Sequence, residues 1–412
     1  MDVLVERCAG LDVHRDTVVA TVRVPSTRRG QRHQETCTFA TTVRQLESLG
    51  DWLATFAVTL VGMEATGVYW KPVFAVLERR FGCWLLNAQH LHNVPGRKTD
   101  VADSAWICQL LEHGLVRPSF VPPHEVRDLR ELTRLRKAQV EERTRAIQRV
   151  EKVLQDSGIK LTSVASQVYS KSARAILEAL MSGTSDPHDL ADLAKGRLRA
   201  KRPQLVEALA NRFRVEHHGV LVAGLLRHID SLEAAIAGLD IQIAQRLAPV
   251  ADLVELVCTI PGVSERTAQV LLAECGWDME VFPTSANLTS WAGICPGNNE
   301  SGGKRKSGQT RRGPKWLRQA LTEAAHAASR TKGTYLAAHH AQIRGRRGPG
   351  KEIGATRHDI LLAFYHIVRD RVPYRELGPD WAARRYSVEH RTNRLVRQLE
   401  ALGMNVTVQA AT

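Results

Sequence analysis

The chain has 412 residues, 43% hydrophobic and 24% charged, with 57 Lys and Arg against 43 Asp and Glu, a net charge of +14. That length holds two or three domains with cores of their own, the composition excludes a fibrous or disordered chain, and no apolar run reaches the roughly 20 residues of a membrane span. The cationic excess favours a polyanionic partner through phosphate contacts and counterion release, while aromatics at only 5% argue against an extended base-stacking surface.

The first stretch alternates strand and helix signals. Strands are expected at Cys8–Val13, Thr17–Val24, Glu35–Ala40, Val58–Met63 and Cys83–Ala88, the second of them rich in β-branched residues. Helices are expected at Thr42–Phe56, Val68–Arg80 and Asp100–His113. Three early strands followed by crossover strands and helices describe a mixed sheet covered by helices, the order of an RNase H-like domain. Pro118, Pro122 and Pro123 close this unit.

His124–Ser157 reads as one long helix dense in both signs of charge. Residues 158–216 are helical in flavour but broken by Gly183, Pro187 and Pro203, and carry no functional motif. From 222 to 243 apolar residues fall at 222, 225, 229, 232, 236, 239 and 243, the period of a coiled-coil seam, and Pro249 stops it. The seam fits equally an intermolecular coiled coil or an antiparallel hairpin on the His124–Ser157 helix. From Ala251 the chain is mostly helical, with a basic, glycine-rich strip from Arg344 to Lys351. A polar tail follows Val372, with a last helix at Ser387–Leu402. The seven cysteines are scattered with no zinc-like spacing, which points to reduced thiols. The start lacks the pattern of a signal peptide. The expected location is cytoplasmic, associated with the nucleoid.

Four acids stand out. Asp12 lies on the first strand, Glu64 ends the fourth, and Asp100 and Asp103 lie one helical turn apart at a helix start. Clustered acids raise each other's pKa and need a reason inside a basic protein. Divalent metal supplies one, since carboxylates can hold Mg²⁺ or Mn²⁺ over a phosphodiester. Singly, an acid such as Asp12 is more often a strand-end or turn residue, and Asp100 and Asp103 read as a helix cap and a first-turn acid; the order of the four is what carries the metal reading.

Two further segments carry chemistry. Ile260-Pro261-Gly262-Val263 joins two apolar helices and resembles a helix-hairpin-helix, whose backbone N–H groups grip a phosphate; an ordinary interhelical turn is the alternative. Ser301 lies in a stretch with Gly297, Gly302 and Gly303, and from Ser301 to Thr322 there are seven Lys or Arg and no acid. Lys304, Arg305, Lys306, Arg311, Arg312 and Lys315 could bind phosphate and stabilise charge developing on it. From spacing alone this is a flexible basic loop that binds phosphates, with Ser307 as good a nucleophile as Ser301.

The motifs Gly10-Leu11-Asp12-Val13, Met63-Glu64-Ala65-Thr66-Gly67-Val68-Tyr69, Lys98-Thr99-Asp100-Val101-Ala102-Asp103, Ile260-Pro261-Gly262-Val263, Phe282…Trp291-Ala292-Gly293…Pro296 and Glu300-Ser301-Gly302 together resemble a DEDD-type insertion-sequence transposase. The likeness spans roughly 8–120 and 250–370; the basic loop after Ser301 and the length of 158–216 depart from it. It implies a RuvC-like domain whose metal ligands and catalytic acids are Asp12, Glu64, Asp100 and Asp103, and a catalytic Ser301 that joins covalently to DNA. It also implies a recombinase of double-stranded donor and target DNA, guided by a structured non-coding RNA. The active form it implies is a homodimer that pairs to a tetramer, with acids and serine from different protomers in one site. The expected fold class is α/β plus all-α. The expected domains are 1–122 (RuvC-like), 123–250 (long coiled-coil helices), 251–375 (helical, with the helix-hairpin-helix and the serine) and 376–412 (tail). A metal-dependent nuclease of branched DNA and a non-catalytic architectural nucleic-acid-binding protein are the competing readings.

Overall fold

The computed structural model describes residues 2–28, 31–65, 67–87, 103–165, 167, 169–297, 299–384 and 387–409, with backbone alone at 299–301, 305–307, 382–383, 388 and 391. The chain divides into two compact units, Met1–Val121 and Pro122–Thr412.

In the first unit β1 (Cys8–Val13), β2 (Thr17–Pro25), β3 (Arg32–Ala40), β4 (Leu60–Glu64), β5 (Gly82–Leu86) and β6 (Pro118–Ser119) form one sheet in the order β3-β2-β1-β4-β5-β6. β1, β4 and β5 run parallel, and β2, β3 and β6 pair antiparallel to their neighbours. α1 (Val43–Thr55), α2 (Trp70–Leu77) and α3 (Asp103–Glu112) cover it. The arrangement is consistent with an RNase H-like α/β domain. β6 was not legible in the sequence: two residues, one a proline, have no alternation to read, and an edge position tolerates the missing donor.

Strand alternation sorts the two faces. Ala9, Leu11 and Val13 of β1, with Val61 and Met63 of β4, pack in one core with Leu46, Leu49 and Leu53 of α1 and Val73 and Leu77 of α2. Cys8 of β1 joins the other core, with Ile107, Cys108, Leu110 and Leu111 of α3. α3 lies almost on the strand backbone there. A Cβ added to Gly10 would fall 2.1 Å from Ser104 O and 2.5 Å from Cys108 N. Cys8 Sγ is 3.6 Å from Cys108 Sγ, and Leu4 N donates to Glu112 O at 2.8 Å. α3 therefore runs opposite to β1, its first residues at the strand's carboxyl end. At its far end the buried Glu112 carboxylate receives Arg23 at 2.7 Å and Arg32 at 2.5 Å.

In the second unit α4 (His124–Asp156) and α8 (Val220–Leu247) pack antiparallel: Asp128 pairs with Arg246, Arg136 with Asp240, and Arg143 with Glu233. The α8 seam, including Val222, Ile229, Leu232, Ile236 and Ile243, is buried within this chain. α5 (Lys171–Met181), α6 (Pro187–Asp192) and α7 (Arg202–Ala208) close over the far ends of the pair, sharing a core with Val150, Leu154, Val222 and Leu226.

There follow α9 (Ala251–Cys258), α10 (Glu265–Cys275), α11 (Ser285–Trp291), β7 (Asn299–Ser301), β8 (Lys304–Ser307), α12 (Lys315–Ala328), α13 (Tyr335–Arg347), α14 (Lys351–Asp370), α15 (Trp381–Arg384) and α16 (Val388–Glu400). The buried Glu274 of α10 receives Arg134 of α4 through two bonds of 2.7 and 2.8 Å, an ion pair that fixes one helix on the other. α12 and α14 run side by side in one direction. Arg357 donates to Thr322 at 3.3 Å, and past their ends Tyr374 N donates to Thr259 Oγ1 beside the turn that packs on Ala328. α13 returns against α14, joined by His340–Thr356 at 3.1 Å and His339–Asp359 at 2.6 Å.

Two outcomes follow. Gly10→Ala forces β1 and α3 apart and lowers stability by about 1–3 kcal/mol in thermal or denaturant unfolding; an unchanged midpoint contradicts the packing of α3 on β1. The hydrogen bond to Asp359 raises the pKa of His339 against the pull of burial. Burial would push Asp359 up, but bonds from His339 and His358 hold its carboxyl below the usual range. A raised histidine stabilises fully below the ordinary value of about 6.5 and loses that contribution as pH rises through the folded value. The stability difference between the wild type and His339→Gln therefore shrinks above about pH 6.5; a difference independent of pH contradicts the pair.

Candidate active site

The last aligned pair between β1 and β4 is Leu11 with Met63, so the next residues along each strand are Asp12 and Glu64. Both side chains emerge on the face that Gly10 and Gly62 leave clear for α3, at the carboxyl ends of adjacent strands about 4.8 Å apart. Asp103, the first residue of α3, is exposed at the helix end that lies over this edge. Asp100, expected one turn earlier, lies outside the described residues. Asp12 is 24% exposed, and its Oδ2 lies 3.1 Å from Nε2 of His14. His14 was not singled out in the sequence, although two residues on from Asp12 on an alternating strand is the same face.

Among the described residues no group of three or more acids, histidines or cysteines is placed to hold a metal ion. The donor chemistry nevertheless suits one: Asp12 and Glu64 offer carboxylate oxygens from neighbouring strands, a pair suited to a hard divalent cation that keeps part of its water shell.

In the second unit Ser301 ends β7, and its backbone pairs with Lys304 at the start of β8. Gly302 and Gly303 between them have φ of +59° and +71°, so a two-residue turn of type I′ closes a hairpin. The sequence suggested a loop; four polar residues, Lys304-Arg305-Lys306-Ser307, have no apolar alternation to mark a strand. The hairpin stands on a tight stem. Gly297 N donates to Gln309 O at 3.1 Å, and Gly313 passes so close to α11's end that an added Cβ would lie 1.9 Å from Ala292 O. Arg311, Arg312 and Lys315, past the stem, are exposed.

The turn between α9 and α10 has a second use. Gly262 has φ +85°, and a Cβ there would lie 2.3 Å from Ala328 N. The last turn of α12 packs against it, so only glycine fits at this position. Ser264 caps α10 by accepting from Thr267 N at 3.3 Å.

Replacing both Gly302 and Gly303 by valine costs about 1–2 kcal/mol per residue at positive φ and opens the hairpin. Hydrogen exchange then finds the amides of 299–307 unprotected while those of α12 stay protected; retained hairpin protection contradicts the turn.

Comparison with known proteins agrees with this architecture. A family model for transposases of the DEDD type, named for IS110, matches residues 9–158, and one described as transposase of the IS116/IS110/IS902 family matches residues 254–341. A probable family 20 transposase of Pseudomonas aeruginosa is 25% identical over 293 residues, covering 70% of this chain and 77% of that one. The first match takes in the Asp12 and Glu64 strands together with α3, the second the Ile260–Val263 turn and the Ser301 hairpin. This chain is an IS110-type transposase, a protein of insertion-sequence transposition that acts on DNA.

Proposed function

We propose that this transposase is a site-specific DNA recombinase that cuts and rejoins strands through a covalent bond between Ser301 and DNA, with a carboxylate site built on Asp12, Glu64, Asp100 and Asp103. The observation that carries the reading is the emergence of Asp12 and Glu64 side by side at the carboxyl ends of β1 and β4, where α3 begins with Asp103. A divalent cation, Mg²⁺ or Mn²⁺, would be held by those four acids and, when bound, neutralises charge on the phosphoryl oxygens. His14 holds the Asp12 carboxylate by its ring nitrogen.

Ser301 Oγ forms a new P–O bond as the bond to one deoxyribose oxygen breaks. The electron pair leaves on that oxygen, and the serine proton passes to a base. Lys304, Arg305, Lys306, Arg311, Arg312 and Lys315 offset the charge that accumulates on the phosphate. Since one phosphate ester is exchanged for another, the reverse attack by a different strand end needs no external energy source. The Ile260–Val263 turn supports the DNA backbone through its main chain, Gly262 being taken up by α12. A structured non-coding RNA specifies target and donor, and a homodimer pairing to a tetramer brings the acids of one protomer to the serine of another.

Ser301→Ala abolishes strand exchange and leaves nucleic-acid affinity within about threefold; recombination by that variant removes the serine from the mechanism. Asp12→Ala and Asp103→Ala each remove the metal-dependent cleavage of a DNA substrate, while full cleavage by both rules out the carboxylate site.

A further inference from the structure

α12 and α14 run in the same direction, and α13 returns against α14, so the turn from α13 into α14 lies at the end of the unit where α12 begins. The last turn of α13 and this link together form the strip from Arg344 to Lys351, with Arg344, Arg346, Arg347 and Lys351 and no acid. All four are exposed, and none of their side chains has a hydrogen-bond or ion-pair partner among the described residues. Glu352, the acid that follows, is buried at 5% exposure. The other half of this end is the segment Arg311–Lys315, which leaves the serine hairpin. Neither α12 nor α14 receives a side-chain cap, so both present free backbone N–H groups there.

Two more guanidiniums lie near the start of α12 and α14. Arg318 donates to the carbonyl of Arg311 at 2.7 Å, and Arg357 reaches Thr322 while its buried Nε has no partner among the described residues. Burial, with the charge of Arg318, holds Arg357 below its ordinary pKa. Among the described residues, neither of these two like charges has an ion-pair partner.

We propose that the Arg344–Lys351 turn is a contact for the phosphate backbone of duplex DNA, continuous with the cations that follow the serine hairpin. It rests on the reading that Ser301 works on DNA. It adds a surface that grips the backbone beside the phosphate under attack and so fixes the strand's position at the serine. Sequence is not read there, because guanidinium and ammonium groups on a turn bind phosphates of any sequence. Unpaired cations at the end of α13 also have a purely structural use, complementing the helix dipole, and the two roles separate experimentally.

The test measures binding of the full-length protein to a duplex of its element's end, without divalent metal, over a range of salt. Arg346→Gln with Arg347→Gln is expected to weaken binding about tenfold or more and to lower the slope of log affinity against log salt by about 2, at roughly 0.9 for each phosphate no longer neutralised. Arg346→Lys with Arg347→Lys restores most of the affinity, and the melting temperature of both variants stays that of the wild type. Unchanged affinity and slope overturn the proposal. So does lowered melting with unchanged affinity, the mark of a dipole role. Loss of affinity for RNA alone assigns the turn to RNA and overturns it too. Because chemistry is absent from the measurement, a failure of Ser301 as nucleophile leaves this result standing, and failure of the turn leaves the serine variants readable.

Discussion

The close approach of α3 to β1 is the constraint on which the acidic site depends. Two strand residues without side chains let a helix lie against the sheet: Gly10 meets the backbone of Ser104 and Cys108, and Gly62 makes room for the Leu111 side chain. At that separation the helix has little freedom to slide or rotate, because a larger residue at Gly10 would meet main chain rather than a pliable side chain. Since α3 runs opposite to β1, its start coincides with the strand ends that carry Asp12 and Glu64. The positive end of the helix dipole faces the same edge, which favours acids there. The Glu112 carboxylate, buried between Arg23 and Arg32, pins the opposite end of the helix.

The serine is presented by a different device. A two-residue turn at positive φ closes the β7–β8 hairpin, and main-chain crossings at Gly297 and Gly313 tie its base to α11 and α12. The cations after it lead directly into α12, whose direction is shared by α14. Two helices therefore direct their N-terminal N–H groups and dipoles to one end of the unit, where arginines and lysines are exposed. Such an end attracts phosphate by fixed dipoles and mobile charges together. α12 also takes up Gly262 from the α9–α10 turn, which packs there at a position only glycine fits.

The sheet was legible because strands of an α/β unit carry local signals: β-branched runs, strict alternation and breaks at Gly and Pro. Asp12 and Glu64 as neighbours followed from their places at strand ends. Their shared face follows from register, which only the pairing of Leu11 with Met63 supplies. The long helix α4 was legible to within a residue, whereas the seam at 222–243 fell short of the end of α8 and gave a period without a partner. Charge pairs with α4, far off in sequence, supply the partner: Asp240 with Arg136 and Glu233 with Arg143. The β7–β8 hairpin was not legible, since short polar strands are set by their turn and stem. Packing of the Gly262 turn could be read, but not its partner, because the helix it touches comes more than fifty residues later in the chain. The role of His14 was hidden for a similar reason: an exposed histidine acquires meaning only from the carboxylate beside it.

The proposed chemistry depends on Ser301 Oγ as the atom that joins protein to DNA. Incubating the transposase with the guide RNA that the proposal calls for, divalent metal and a DNA substrate carrying a nick that traps the intermediate, then mapping the adduct by mass spectrometry, tests this directly. The account predicts a nucleotide phosphate on the peptide that contains Ser301, with fragment ions assigning it to that serine rather than Ser307. An adduct on another residue, or cleaved DNA with hydrolysed ends and no adduct at all, would contradict it.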